Sequence, residues 1–354
     1  MARRTKRKKT RRIFVGAVPV GGGSPVSVQS MTKTDTRDAA ATVRQIRALE
    51  REGCEIIRLA VPDAEAARAL GRIKKSAGIP VIADIHFDWR LALEAVRQGV
   101  DGLRINPGNI GAEWKIREVV SALADRGLPL RVGVNAGSLE KDILRKHGHP
   151  SAAALVESAE RQIALLEKLG FGSVKVSLKA SNVPATVEAY RMFAAKFDYP
   201  LHIGISEAGP LFPGLIKSSV GLGLLLSEGI GDTMRVSLTA NPREEVRAAY
   251  EILRALGLRR RGVEIVSCPT CGRCQVELGK LVAQVERKLG GVKEPLTVAV
   301  MGCAVNGPGE AREADFGIAS GKGRGLVFRK GKVVARERED RLVESLLRLI
   351  EEEG

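Results

Sequence analysis

From residue 26 to about residue 239, short runs of β-branched and apolar residues alternate with longer segments whose apolar residues recur every three or four positions. The short runs predict eight strands, at 26–29, 56–61, 81–86, 102–106, 130–135, 173–179, 201–206 and 233–239. Between them the helical period predicts amphipathic helices at 41–52, 65–76, 90–98, 112–125, 151–169 and 184–197. Strand followed by helix, repeated, predicts an α/β fold: a parallel (β/α)8 barrel of the TIM type over residues 13–258.

The strands carry a second pattern, of period two. One set of positions is apolar: Ile57, Leu59 and Val61; Leu103 and Ile105; Val132 and Val134; Val174, Val176 and Leu178; Ile203 and Ile205; Met234, Val236 and Leu238. The alternate set is polar or small: Arg58; Asp84 and His86; Arg104 and Asn106; Arg131 and Asn135; Lys175, Ser177 and Lys179; His202; Arg235 and Ser237. Successive side chains of a strand point to opposite faces, and in a parallel barrel the apolar face must meet the helices. The polar set therefore lines the interior, towards the strand C-termini. It holds six cations, against which Asp84 and Glu207 are the carboxylates expected nearby. An internal salt-bridge plug would leave four cations unmatched, whereas an anionic ligand with two phosphoryl groups accounts for the surplus.

After 251–258 the segment 259–262 reads as a linker, and the texture changes. Strands are expected at 263–266 and 296–301, a helix at 276–289, a hairpin at 325–338 turning at Lys330-Gly331-Lys332, and a last helix at 341–353. Residues 259–354 thus form a smaller α+β domain.

Length and charge sharpen this picture. The 354 residues suit a barrel of about 250 plus a second unit. The formal net charge is +16, and eight cations fall in the first twelve residues. That stretch is expected to be a disordered, solvated basic tail rather than a nucleic-acid arm. No apolar run is long enough to span a membrane, and no apolar stretch follows the basic start as in a signal peptide, so a cytoplasmic protein is expected.

Three of the five cysteines, Cys268, Cys271 and Cys274, form a C-x-x-C-x-x-C run directly after a predicted strand, and Cys303 follows another. Thiolates so spaced can hold tetrahedral zinc or an iron–sulfur cluster, the run leaning towards iron. Cys54, beside a strand, is expected to be an inert core thiol.

Specific motifs now stand out: Val-Gln-Ser-Met-Thr at 28–32, Ala-Asp-Ile-His-Phe at 83–87, Arg-Ile-Asn-Pro-Gly-Asn at 104–109, Arg-Val-Gly-Val-Asn at 131–135, Ser-Glu-Ala-Gly at 206–209, Gly-Asp-Thr-Met-Arg at 231–235, Ser-Cys-Pro-Thr-Cys at 267–271 and Met-Gly-Cys-Ala-Val-Asn-Gly-Pro-Gly-Glu at 301–310. From about residue 15 to its end, the chain resembles the 4-hydroxy-3-methylbut-2-enyl diphosphate synthase family of the methylerythritol phosphate route to isoprenoids, in its compact bacterial form. The resemblance implies a 4Fe–4S cluster held by Cys268, Cys271, Cys303 and Glu310, with Cys274 an extra thiol outside the family pattern. It implies reductive opening of a cyclic diphosphate, with ferredoxin or flavodoxin supplying electrons, and a head-to-tail homodimer. Glu310, Asp84, His86 and Glu207 are then the catalytic candidates, and the interior Arg and Lys residues the diphosphate clamp. For His202 a functional role and a packed barrel histidine stay open.

Two other classes compete. One is a phosphate- or pterin-binding barrel enzyme with a structural zinc domain. The other is a nucleic-acid-binding protein, which leaves the polar barrel interior unexplained. A radical S-adenosylmethionine enzyme fails on its missing C-x-x-x-C-x-x-C spacing.

Overall fold

The computed structural model describes residues 6–353, apart from Arg273, Gln275, residues 304–308, Glu310 and Lys322. The chain divides into two units, Met1–Arg259 and Arg260–Gly354.

The first unit opens with an antiparallel hairpin, β1 (Arg12–Val15) and β2 (Val18–Gly21). Then follow β3 (Ser27–Met31), α1 (Ala39–Glu52), β4 (Ile56–Ala60), α2 (Ala64–Ser76), β5 (Val81–Asp84), α3 (Trp89–Arg97), β6 (Gly102–Ile105), α4 (Pro107–Ile110) and α5 (Glu113–Ala124). The rest comprises β7 (Leu130–Asn135), α6 (Lys141–His147), α7 (Ala152–Lys168), β8 (Val174–Lys179), α8 (Val183–Lys196), β9 (His202–Ile203), α9 (Leu211–Ser227), β10 (Thr233–Met234) and α10 (Pro242–Ala255). Strands β3 to β10 form one parallel sheet in the order β8-β7-β6-β5-β4-β3-β10-β9, and a parallel bridge from Val176 to Leu201 joins its ends. This is the TIM-type barrel the repeat predicted. The helices start where the sequence provides caps: the side chains of Asp38, Asp63, Asp88, Ser151, Asn182 and Asn241 each accept a hydrogen bond from a first-turn amide.

Three features differ from expectation. The last two barrel strands are two residues each, because the backbone beyond them loses ladder geometry while keeping single bonds, Arg235 N to Ile203 O and Ser206 N to Ala180 O. The hairpin β1–β2 was not foreseen. Its Ile13, Val15 and Val20 pack on Ile56 and Ile82, so the barrel carries an apolar layer at the strands' N-terminal end beneath the polar one. The third is the basic tail. Residues 6–12 are not a free arm: Lys8 N donates to Gly229 O, Arg11 pairs with Asp198 at 2.7 Å, and Arg7 pairs with Asp232 at 2.9 Å. Asp232 is buried, so an unpartnered carboxylate there would be costly, and Arg7 relieves that cost. Residues 1–5 lie outside the described residues.

The second unit comprises β11 (Val263–Ser267), α11 (Leu278–Leu289), β12 (Leu296–Met301), β13 (Phe316–Gly321), β14 (Arg324–Arg329), β15 (Lys332–Arg338) and α12 (Leu342–Glu353). Its sheet runs β11-β12-β13-β14-β15, with the first three strands parallel and the last two antiparallel. One face buries Val298, Val300, Ile318 and Val327 against Val285, Leu289, Leu342 and Leu346 of the two helices. The other face carries a smaller cluster, Ala299, Met301, Ala319 and Phe328. Strand β13 escaped prediction because Gly317 and Gly321 dilute its β signal. Gly317 is needed, since a Cβ there would collide with the Phe328 ring. No described helix is long and apolar enough to cross a membrane.

Candidate active site

The register of the barrel lines up its charges. Asp84 on β5 is opposite Arg104 on β6, Arg104 opposite Arg131 on β7, and Arg131 opposite Lys175 on β8. All four side chains are buried. Asp84 anchors one side of the row. Arg104 Nη1 donates to its Oδ1 at 3.0 Å, and Arg58 Nε lies 3.5 Å from its Oδ2. Burial would raise the Asp84 carboxyl, but Arg58, Arg104 and Arg131 outweigh it and hold the group down to about 2. Arg104 also donates to Gly133 O at 3.2 Å, and Gly133 leaves the space its guanidinium fills. With its amide turned to suit its neighbours, Asn135 accepts from Arg104 Nη2 at 2.9 Å. Asn106 is held by Gln162 of α7, which donates to its Oδ1 at 3.1 Å, and itself donates to Ser138 O at 3.3 Å. Ser177 is buried and Ser237 half-buried.

A second carboxylate, Glu245 of α10, anchors the opposite side. It is fully buried and takes Arg235 at 3.1 Å, Lys33 at 3.2 Å, Ser30 Oγ at 3.1 Å and the Leu238 amide at 3.1 Å. Glu207, the carboxylate expected in this role, instead lies exposed in the turn after β9, at φ +52°, and pairs with no described cation.

This leaves Arg131, Lys175 and Lys179 with no carboxylate in ion-pair reach among the described residues. Burial, reinforced by Arg131, depresses Lys175 to about 7. Burial and the surrounding arginines push Lys179 well below its ordinary value. Arg131 Nε has no hydrogen-bond partner, and neither ring nitrogen of the fully buried His202 has one. Burial and the neighbouring cations keep His202 neutral, far below the usual imidazole range. His86 is half exposed, with Nε2 at 3.7 Å from Asp84 Oδ1, and burial also lowers it. Arg131, two lysines whose charge burial suppresses and a neutral imidazole with bare ring nitrogens share one polar interior, an arrangement that suits an anion.

In the second unit, Cys268 directly follows β11 and Cys303 follows β12 by two residues. These strands are parallel neighbours with Ser267 opposite Val300, so both cysteines leave the same end of the sheet. Cys271 is exposed, while Cys268, Cys274 and Cys303 are half-buried, and no described cysteine is in a disulfide. Cys274 lies against Gly302, its amide donating to Cys271 O at 2.8 Å and its thiol to Val276 O at 3.3 Å. Glu310 lies outside the described residues, and among the described ones no three His, Cys, Asp or Glu side chains are grouped to hold a metal ion. The donor chemistry nonetheless suits an iron–sulfur group: Cys268 and Cys303 leave the same sheet end, and Cys271 and Cys274 follow Cys268 closely in sequence. Cys54 behaves as the core thiol foreseen, buried and raised to about 12 by that burial.

The GcpE TIM-barrel domain matches residues 10–250, and the GcpE protein C-terminal domain matches residues 264–352. The chain belongs to the GcpE family. It is 65% identical over 342 residues to the 4-hydroxy-3-methylbut-2-en-1-yl diphosphate synthase (flavodoxin) of Thermodesulfovibrio yellowstonii, covering 97% of this chain and 98% of that one. It is 61% identical over 343 residues to the protein of the same name from Geobacter sulfurreducens, covering 97% of each. Among solved structures, dihydropteroate synthase from Xanthomonas albilineans aligns at TM-score 0.50 and 14% identity, over 70% of this chain and 97% of that one. The N-acetylneuraminic acid synthetase of Leptospira borgpetersenii aligns at TM-score 0.51 and 14% identity, over 79% and 97%. At such identities these two share the barrel fold and nothing finer.

Three residues of this GcpE barrel were not singled out from the sequence: Glu245, Lys33 and Gln162. A signal existed for two. Glu245 lies on the core-facing stripe of α10 with Ala249 and Ile252, and Gln162 on that of α7 with Leu155 and Leu166. A polar residue on an apolar stripe is a buried polar group in need of a partner. Lys33 carried no such mark.

Proposed function

We propose that this chain catalyses the reductive ring opening of 2-C-methyl-D-erythritol 2,4-cyclodiphosphate to (E)-4-hydroxy-3-methylbut-2-enyl diphosphate, with a flavodoxin as electron donor. The observation that carries the reading is the unmatched set Arg131, Lys175 and Lys179 beside His202, which suits a compact dianion. Its relatives' names point to the same chemistry. Two electrons and one proton are taken up, a ring carbon–oxygen bond breaks, and the hydroxyl leaves as water.

In this reading Arg131, Lys175 and Lys179 bind the two phosphoryl groups. Asp84 and Glu245 are positioning residues: they hold Arg58, Arg104 and Arg235 in fixed orientations, so the clamp is preorganised. His202, neutral, offers one N–H to a phosphoryl or hydroxyl oxygen. Asn106, Asn135, Ser177 and Ser237 supply further hydrogen bonds, and His86 and Glu207, both reached by solvent, handle the proton. Cys268, Cys271, Cys303 and Glu310 would hold a 4Fe–4S cluster, which when bound supplies electrons and a Lewis-acidic iron. The engagement of Cys274 with Val276 and Gly302 supports its reading as a bystander. A head-to-tail homodimer, bringing the cysteine unit of one protomer to the barrel of its partner, follows from the family resemblance, as does a cytoplasmic setting.

The test is anaerobic turnover by the reconstituted full chain with reduced flavodoxin, the product identified by mass. Conversion to the linear diphosphate, two electrons per molecule, is expected. No consumption of the cyclic compound at full iron and sulfide content would overturn the proposal.

A further inference from the structure

We propose that the exposed arginines of the β14–β15 hairpin in the second unit, Arg324, Arg336 and Arg338, are the docking surface for the acidic electron donor. The inference rests on the reductive reading above.

The hairpin β14–β15 is strongly one-sided in charge. Residues 324–338 hold six cations and one carboxylate. Arg324 is opposite Arg338, and Leu326 opposite Arg336, so three arginines share one face. Val327 and Ala335, on the alternate face, pack with the helices. Phe328 belongs to the other cluster, to which neither α11 nor α12 contributes. Arg324, Arg336 and Arg338 are exposed. Arg324 and Arg336 form no ion pair with a described residue, and Arg338 has only exposed Asp340, at 3.2 Å.

Register then ties this patch to the cysteines. Met301 is opposite Ala319, and Gly321 is opposite Arg324. Cys303 follows Met301 by two residues as Gly321 follows Ala319, so the cysteine end of β12 is the sheet end that carries Arg324 and Arg338. With strands about 4.8 Å apart, the strands bearing these arginines lie roughly 10 and 14 Å from β12. The face between is buried and apolar, Ala299, Met301, Ala319 and Phe328, with Cys268 packed beside it. A protein with an acidic rim around its flavin would meet three cations on the sheet end from which Cys268 and Cys303 leave. Such complementarity acts mainly on encounter and orientation, and it is screened by salt.

The experiment uses the full-length holoprotein carrying Arg324→Glu, Arg336→Glu and Arg338→Glu. Affinity for oxidised flavodoxin is measured by calorimetry at low and high ionic strength, together with iron content. Turnover is driven by reduced flavodoxin or by photoreduced deazariboflavin, a small neutral donor. The expected result is affinity for flavodoxin weakened tenfold or more at low salt, a flattened salt dependence, a raised KM for flavodoxin, and turnover with deazariboflavin within twofold of wild type. Unchanged affinity would overturn the proposal. So would equal weakening by a control reversal of Arg68, Arg72 and Lys75, exposed cations of α2, since only net charge would then matter. If the reversal lowers iron content, the neutral set Arg324→Gln, Arg336→Gln and Arg338→Gln decides, at threefold or more. Failure of the wild-type chain with deazariboflavin would instead count against the reaction, leaving the binding measurement to judge the docking surface.

Discussion

Removing Glu245 should injure the barrel more than removing any exposed carboxylate. The side chain is fully buried and holds Arg235, Lys33, Ser30 and the Leu238 amide together. In Glu245→Ala, Arg235 keeps only a contact to the Met31 sulfur at 3.7 Å, and its side chain is 12% exposed. Breaking a buried pair by deleting one partner costs about 3–5 kcal/mol, because the remaining charge stays desolvated. At about 2–4 °C per kcal/mol for a unit of this size, the thermal midpoint of the barrel should fall by roughly 6–20 °C. Glu245→Gln keeps one acceptor, for the Leu238 amide, while its new NH2 can donate to Ser30 Oγ, so it should lose less. Combining Arg235→Met with Glu245→Gln should recover part of the loss, and a double-mutant cycle measures the coupling. Calorimetric melting of wild type, Glu245→Ala and the three proteins that complete the cycle is the assay. A loss below about 1 kcal/mol in Glu245→Ala, the level of an ordinary surface change, would refute the reasoning.

Binding of the cyclic diphosphate should take up protons at pH 8. Lys175, at about 7 in the folded chain, is then largely neutral, and an anion beside it restores the ammonium. Titrations in buffers of different ionisation enthalpy measure the uptake, which Lys175→Met should diminish. Equal uptake in that variant would refute the assignment. The same depressed value predicts that the Lys175 contribution to stability rises with pH between about 7 and about 10.4, where the unfolded chain binds the extra proton. Denaturant melts of wild type and Lys175→Met across that window should diverge, and parallel curves would contradict it. Cys274→Ser should keep iron content and turnover, while Glu310→Ala should yield a fragile cluster degrading towards a three-iron form. Paramagnetic resonance and iron analysis distinguish this from the reverse outcome, which would make Cys274 the ligand. Mixing Arg131→Ala subunits with Cys303→Ala subunits should restore part of the activity if the site spans two chains. Proven heterodimers without recovery would place it in one.

Much of the architecture was written in periodicity. The strand alternation put Arg104, Arg131 and Lys175 on the interior face because a parallel barrel allows only one face to meet its helices. It said nothing of depth along the barrel. The apolar layer of Ile56 and Ile82 was missed because it is completed by a hairpin distant in sequence. The error over Glu207 has the same origin. Pattern places a residue near the strand end, but φ +52° turns Glu207 out to solvent, while Glu245 reaches in from a helix. The basic tail misled for another reason. Composition alone suggests solvation, and only the fold reveals the buried Asp232 that captures Arg7.

The central claim is that the unmatched cations of the barrel interior hold the diphosphate. Its most direct test is titration of the cyclic diphosphate into wild-type and Arg131→Ala protein of equal iron content, followed by phosphorus magnetic resonance. Loss of one charge-assisted contact should cost about 1.5–3 kcal/mol, which weakens binding roughly 10- to 150-fold. Superimposable titration curves for the two proteins would contradict the account.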